Sequence, residues 1–352
     1  MKRNTRLTAV LAAPLLLLAA CVGKEIPYTP AARPSQLIMN ALLESSAAQH
    51  YVYLYQSGID TILAVRHATV TLSVNGQSAE TGEEVPQIDL PDYLDLTSVP
   101  GLVRSSRYRF TTPLRAGDEV TLDALTADGS KHASATLTVP RPVNDIRVDT
   151  VSTTILYDNS IYPVMQYRVT LTDLSGEANY YRLDIRNDYT SYGKYYNGSD
   201  TALFRRVIPS IINFEEPLLS DGRISVGDIE GDGYNELQAD NRYNIFTDKF
   251  FTDRSYTLKV YTALPSQYYP DSMYDVTRIT GRVTVRLLSI TEAEYNYLHT
   301  LNLLEWGGFM SDMIEPLIIP SNVTGGTGFV GAGSDVSITL ELPDLVVNQP
   351  SW

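Results

Sequence analysis

Cysteine occurs once in the 352 residues, at Cys21, so no disulfide can form within the chain. Exported domains short of core volume often rely on disulfides, and this chain must be held by packing instead. Histidine is nearly as scarce. His50, His67, His132 and His299 stand apart, with no HExxH or HxH pair to hold a catalytic metal. No GxSxG elbow marks a hydrolase nucleophile. Ser191-Tyr192-Gly193-Lys194 fits SxxK, but the companion signatures of penicillin-recognising enzymes are missing, which leaves chance as the better account. Positive charge is in deficit, with 27 Lys and Arg against 41 Asp and Glu and a net charge of −14. Such a surface repels phosphate backbones and anionic head groups, so nucleic acid is not an expected partner.

Long apolar runs are also missing, except at the start. Lys2, Arg3 and Arg6 precede an apolar stretch from Leu7 to Ala20 that is shorter than the roughly 20 residues needed to span a bilayer. Charge, apolar core and small residues in that order read as a signal peptide over residues 1–20. Leu18-Ala19-Ala20-Cys21 completes a lipobox, in which the thiol of Cys21 takes the lipid. Two or more acyl chains make a stable anchor, at about 0.8 kcal/mol per buried methylene. The expectation is therefore a palmitate-type lipoprotein attached to a lipid bilayer through acylated Cys21. Residues 21–35 hold Pro27, Pro30 and Pro34 and read as an extended tether.

Beyond the tether, short alternating segments dominate. Tyr51-Val52-Tyr53-Leu54-Tyr55 puts tyrosines on one face and aliphatics on the other. Ala68–Val74 alternates likewise and ends in Asn75-Gly76, a two-residue hairpin signal. Tyr108–Phe110, Glu119–Leu122 and Ser134–Val139 add further strands. Pro140-Arg141-Pro142 interrupts the pattern and sets a boundary between residues 36–141 and residues 145–345. In the second part, strands are expected at Ile146–Ile155, Met165–Thr172, Tyr180–Ile185, Tyr256–Thr262, Arg282–Ser289 and Val336–Leu342, with an irregular insertion over about residues 187–254. The expected class is mainly β, with two β-sandwich domains of immunoglobulin-like or transthyretin-like architecture. One short helix near the C-terminus of the second opens on the capping box Thr291-Glu292-Ala293-Glu294, with Ile290 and Tyr295 as a hydrophobic staple. Tyr297, Leu298, Leu301 and Leu304 make its apolar stripe, and Gly307-Gly308 would end it.

Leu287–Thr291 leading into Tyr295–Leu298, and Pro320–Gly326 followed by Gly328-Phe329-Val330-Gly331-Ala332, resemble two segments of a Bacteroidota lipoprotein family, the domain-of-unknown-function family 4249. Gly101-Leu102-Val103, the Ala116-Gly117-Asp118 turn and Gly176–Arg182 fit its middle segments. The resemblance implies an outer-membrane lipoprotein whose partner is a TonB-dependent receptor. It carries no catalytic residues across, so no enzyme is expected.

Three local patterns remain. Gly326-Thr327-Gly328-Phe329-Val330-Gly331 matches GxGxxG by letter, but without the strand–helix context that a dinucleotide needs; a tight backbone path is the plainer reading. Asp228, Glu230 and Asp232 begin a calcium-loop pattern with Gly233 at the sixth position, but Ala239 stands where the bidentate acid belongs, so calcium competes with a solvated acidic turn. Tyrosine is abundant, 24 residues against two tryptophans. Tyr189, Tyr192, Tyr195 and Tyr196 are the candidate ligand-binding cluster, because tyrosine offers rigid amphipathic contact area at low entropic cost. The function expected is a binding or accessory subunit of an outer-membrane uptake system; the alternative is a structural or adhesive surface module.

Overall fold

Alternation of buried and exposed residues sets the faces of most strands in the computed structural model. It describes residues 34–58, 62–86, 106–157, 159–195, 201–208, 211–220, 241–264, 274–306 and 318–346. The strands are β1 (Leu37–Glu44), β2 (His50–Ser57), β3 (Ile62–Ala64), β4 (Thr69–Val74), β5 (Gln77–Thr81), β6 (Glu83–Pro86), β7 (Ser106–Phe110), β8 (Glu119–Leu125) and β9 (His132–Thr138). They continue with β10 (Ile146–Tyr157), β11 (Ser160–Thr172), β12 (Tyr180–Tyr195), β13 (Thr201–Ile208), β14 (Ile245–Thr247), β15 (Ser255–Ala263), β16 (Tyr274–Ile290) and β17 (Thr327–Val346). Among the described residues one α-helix, α1 (Glu292–Trp306), lies between β16 and β17, and a single 3-10 turn covers Asp248–Phe250. The fold is mainly β with one helix near the C-terminus, as the alternation implies.

Ten of these strands form one sheet whose main order is β13-β12-β16-β17-β1-β2-β7-β6. A four-stranded sheet, β5-β4-β8-β9, and a three-stranded sheet, β10-β11-β15, complete the set. Val70, Leu72, Val120 and Leu122 of the four-stranded sheet share a core with Leu37, Met39, Val52, Leu54, Tyr108 and Phe110 of the large sheet. Tyr167, Val169, Leu258 and Val260 of the three-stranded sheet pack with Tyr181, Leu183, Ile185, Val283, Val285 and Leu287 in a second core. The boundary at Pro140–Pro142 falls between the strands of these two cores, yet the large sheet crosses it.

β17 makes the crossing. Its first part pairs in parallel with β1, from Thr327 against Ile38 to Gly333 against Glu44. Its second part pairs antiparallel with β16, from Gly333 against Ile290 to Val346 against Arg278. Even-numbered residues serve both cores: Val330 and Ala332 the first, Val336, Ile338, Leu340 and Leu342 the second. The closing glycines fit this role. A Cβ on Gly328, at φ +114°, would meet the Met39 backbone oxygen and lie 2.8 Å from the Met39 nitrogen; one on Gly326 would collide with the Leu37 oxygen. Phe329 donates its N–H to Asn40 Oδ1 at 3.0 Å. Asn322 imitates a strand, accepting from Val330 N at 2.9 Å and donating to Val330 O at 2.7 Å. The GxGxxG letters thus encode close backbone approach to β1.

One local expectation holds and two change. Asn75 (φ 53°) and Gly76 (φ 76°) do form the two-residue β4–β5 turn, with both residues left-handed. The stretch from Asn187, expected to be irregular, instead continues β12 to Tyr195, where it pairs with β16 and, as far as Gly193, with β13. The capping box is only half made. Thr291 Oγ1 accepts from Glu294 N at 3.3 Å, but Thr291 N–H goes to Ala332 O at 3.0 Å rather than to the Glu294 carboxylate. Leu298 is buried beside Ile290, with Tyr295, Tyr297 and Leu301 packed around them, while Leu304 is 37 % exposed.

Candidate functional site: the outer face of the shared sheet

Strict alternation along β12 and β16 sends apolar side chains inward and charged ones outward. The inward set of β12 is Tyr181, Leu183, Ile185, Asn187 and Tyr189, all buried. The outward set begins Arg182-x-Asp184-x-Arg186-x-Asp188, with signs that alternate. β16 places Arg286 opposite Asp184, Thr284 opposite Arg186, and Arg282 opposite Asp188. β17 extends the rungs: Arg282 bonds Glu341 at 2.8 Å and Thr284 bonds Thr339 at 3.1 Å. Arg278 lies over the Tyr192 ring at 4.6 Å and pairs with Asp344 at 3.4 Å. The result is a face of alternating acid, base and hydroxyl, with five arginines in a chain poor in positive charge.

Toward α1 this face becomes buried and its charges converge. Arg286 Nη2 bonds Glu44 Oε2 at 2.8 Å, its Nε bonds Asp335 Oδ2 at 3.2 Å, and its Nη1 lies 3.9 Å from Asp184. Burial would raise the Asp335 carboxyl, but Arg286 and Ser46 together hold it below its usual value. Glu294, in the first turn of α1, is buried and lies 3.7 Å from Arg182 Nη1. Burial, with a smaller push from Glu44, raises its carboxyl to about 7 against the pull of Arg182. Gly331 leaves room for it, since a Cβ there would stand 2.8 Å from Glu294 Oε2. Phe329 stacks on Tyr297 at 4.3 Å and seats the helix over the same strand.

The candidate tyrosines separate. Tyr189 faces the second core and is 3 % exposed, so it cannot share a binding surface with Tyr192 on the opposite face. Burial raises the Tyr189 hydroxyl well above its usual value, and that hydroxyl has no hydrogen-bond partner among the described residues. Tyr195 lies opposite Tyr274 near the strand end. Tyr196, Cys21, Asp228, Glu230 and Asp232 lie outside the described residues. No group of three metal-ligating side chains occurs among the described residues. No helix there is long and apolar enough to cross a membrane. The arginine face is legible in Tyr181-Arg182-Leu183-Asp184-Ile185-Arg186, where period-two burial coincides with alternating sign. An open depression of about 310 Å³, lined by Gln56, Leu63, Arg66 and Asp128 among others, lies elsewhere.

The two environments give opposite expectations. Tyr189→Phe should leave stability unchanged or raise it by up to about 1 kcal/mol, because it deletes a buried hydroxyl that bonds nothing in the core. Tyr192→Ala, at a half-exposed position, should change stability by no more than about 1 kcal/mol. Thermal melting of the two variants checks both.

Fold and face together define a mainly β protein with two cores built on one shared sheet. The chain belongs to the family described as Domain of unknown function (DUF4249), whose model matches residues 24–339. No curated protein matches the chain.

Proposed function

We propose that this protein is a lipid-anchored binding or accessory subunit of a TonB-dependent uptake system in a Bacteroidota-type outer membrane. One observation carries the reading: the lipobox ending at Cys21 stands just ahead of the family match, which begins at residue 24. The anchor and the family body are therefore adjoining parts of one chain. The arginine-rich outer face supplies a charge-patterned surface for a protein partner or polar ligand. The two cores share a strand, which suits a body that presents one fixed face and suits flexible tandem spacers less well.

Affinity purification of the tagged chain from detergent-solubilised membranes tests the reading. A TonB-dependent receptor should be recovered with the intact chain and depleted when Arg282 and Arg278 are replaced by Glu. Recovery of the chain without any such receptor would refute the assignment.

A further inference from the structure

We infer that β10 is a strand-addition edge that joins two copies of this chain into an antiparallel, two-fold dimer. An exposed strand edge offers unpaired N–H and C=O groups to any extended polypeptide, and proteins blunt such edges with charge, proline, bulges, short length or cover. The other described edges of this molecule are blunted in those ways, including the side of β17 that β1 leaves open beyond Gly333, which carries Asp335, Glu341, Pro343 and Asp344. β15 is covered by Ile212, which exchanges backbone hydrogen bonds with Tyr261 at 2.7 and 2.9 Å, and by Glu216, which accepts from Lys259 N at 2.6 Å. β9 is covered where Ser134 and Thr324 exchange bonds at 2.9 and 2.8 Å. β5 carries Glu80 beside a register shift, and β6 carries Glu83, Glu84 and Pro86. β13 pairs with β12 through a bulge. β3 and β14 have three residues each.

β10 carries charge only near its start, at Arg147 and Asp149, and has none of these devices from Thr150 onward. It runs for 12 residues and pairs with β11 through its whole length without a register shift. Thr150 to Tyr157 contains no charge, no proline and no glycine, and is rich in β-branched residues. Among the described residues no strand pairs with its outer side. Apolar side chains stand exposed along it: Val151 at 50 % and Leu156 at 67 %, with Ile161 opposite Leu156 at 72 %.

A second copy is the occupant these features fit. The chain carries a net charge of −14, so two copies meet at least cost where neither presents charge, and this segment is such a strip. Antiparallel pairing about a two-fold axis normal to the sheet sets residues of the same face against each other, and the interface is self-complementary. Centred on Thr153, it places Val151 against Ile155, Thr150 against Leu156 and Ser152 against Thr154, with no carboxylate facing another. Two three-stranded sheets become one of six strands, and main-chain hydrogen bonds supply the affinity as in strand addition generally.

Light scattering on the full chain purified in detergent, with the detergent mass subtracted, reads the state directly. The expected protein mass is twice that of the chain. Thr153→Lys sets two ammonium groups face to face and should raise the dimer dissociation constant by roughly a hundredfold or more, with the melting temperature of the monomer retained. Val151→Lys should act in the same direction from an exposed position, and Thr339→Lys, on the outer face of β17, should leave the dimer intact. A wild-type chain of monomer mass overturns the inference. So does a dimer that survives both β10 substitutions, or one that Thr339→Lys dissociates.

Discussion

As pH rises from about 4.5 to about 7, the folded chain is expected to lose about 3 kcal/mol of stability through Glu294 alone, and the Glu294→Gln variant should not show that loss. In the folded state burial against Gly331 and repulsion from Glu44 keep the carboxyl protonated to about 7, against an ordinary value of 4.5. The unfolded chain releases the proton near the lower value. Between the two, folding takes up a proton, so stability is greatest below the window and declines through it. Arg182, at 3.7 Å and partly exposed, offsets part of the burial cost without removing it. Groups whose carboxyls are held low, Glu80, Glu215 and Asp335, titrate below this window and act with the opposite sign. Denaturant midpoints measured across the window for the wild type and the variant isolate Glu294. Parallel curves for the two proteins would show that the carboxylate is not a proton-linked seat for α1.

Gly328→Ala is expected to cost more than about 4 kcal/mol, the range reserved for substitutions that strike a specific structural device. The added Cβ has nowhere to go: the Met39 backbone lies against it and φ is +114°. β1 pairs with β17 over seven consecutive positions, from Ile38 against Thr327 to Glu44 against Gly333, and displacing that ladder opens the first core where Val330 and Ala332 close it. Gly117, at φ +89° with open space around it, makes the comparison. Gly117→Ala should pay the backbone strain alone, about 1 kcal/mol. Urea unfolding of both variants reads the difference. Equal losses would mean that the close approach of β17 to β1 contributes nothing.

How much of this was legible depended on whether the cause was local. The β2, β4, β8 and β9 segments announced themselves because each buries alternate residues against a facing sheet, and Asn75-Gly76 dictated its own turn. β1 did not. Leu37-Ile38-Met39-Asn40-Ala41-Leu42-Leu43-Glu44 is made largely of good helix formers, and it becomes a strand because it is held between β2 and β17, the latter almost 300 residues away in sequence and paired in parallel. The far half of β12 was hidden for a related reason: Asn187, Ser191 and Gly193 occupy inward positions where an apolar residue would have signalled a strand. Tyr167 Oη donates to Asn187 Oδ1 at 2.7 Å, so that polar side chain is satisfied in the core in part by a residue remote in sequence. The candidate site was half visible. Tyr192 does lie on the outer face, but Tyr189 is three residues earlier, and an odd spacing on a strand sends it to the opposite side. Arg286 bonds both Asp335, a neighbour across the sheet, and Glu44, from the other core; only the shared strand brings them together.

The proposed function depends on the attachment of lipid to one sulfur atom, that of Cys21. Cells expressing the wild type and Cys21→Ser can be separated into membrane and soluble fractions and the chain weighed intact in each. The wild type should sediment with membranes at a mass raised by its acyl chains, and Cys21→Ser should leave the membrane fraction and carry no lipid. A Cys21→Ser chain that stays with the membranes at the wild-type mass would contradict the account.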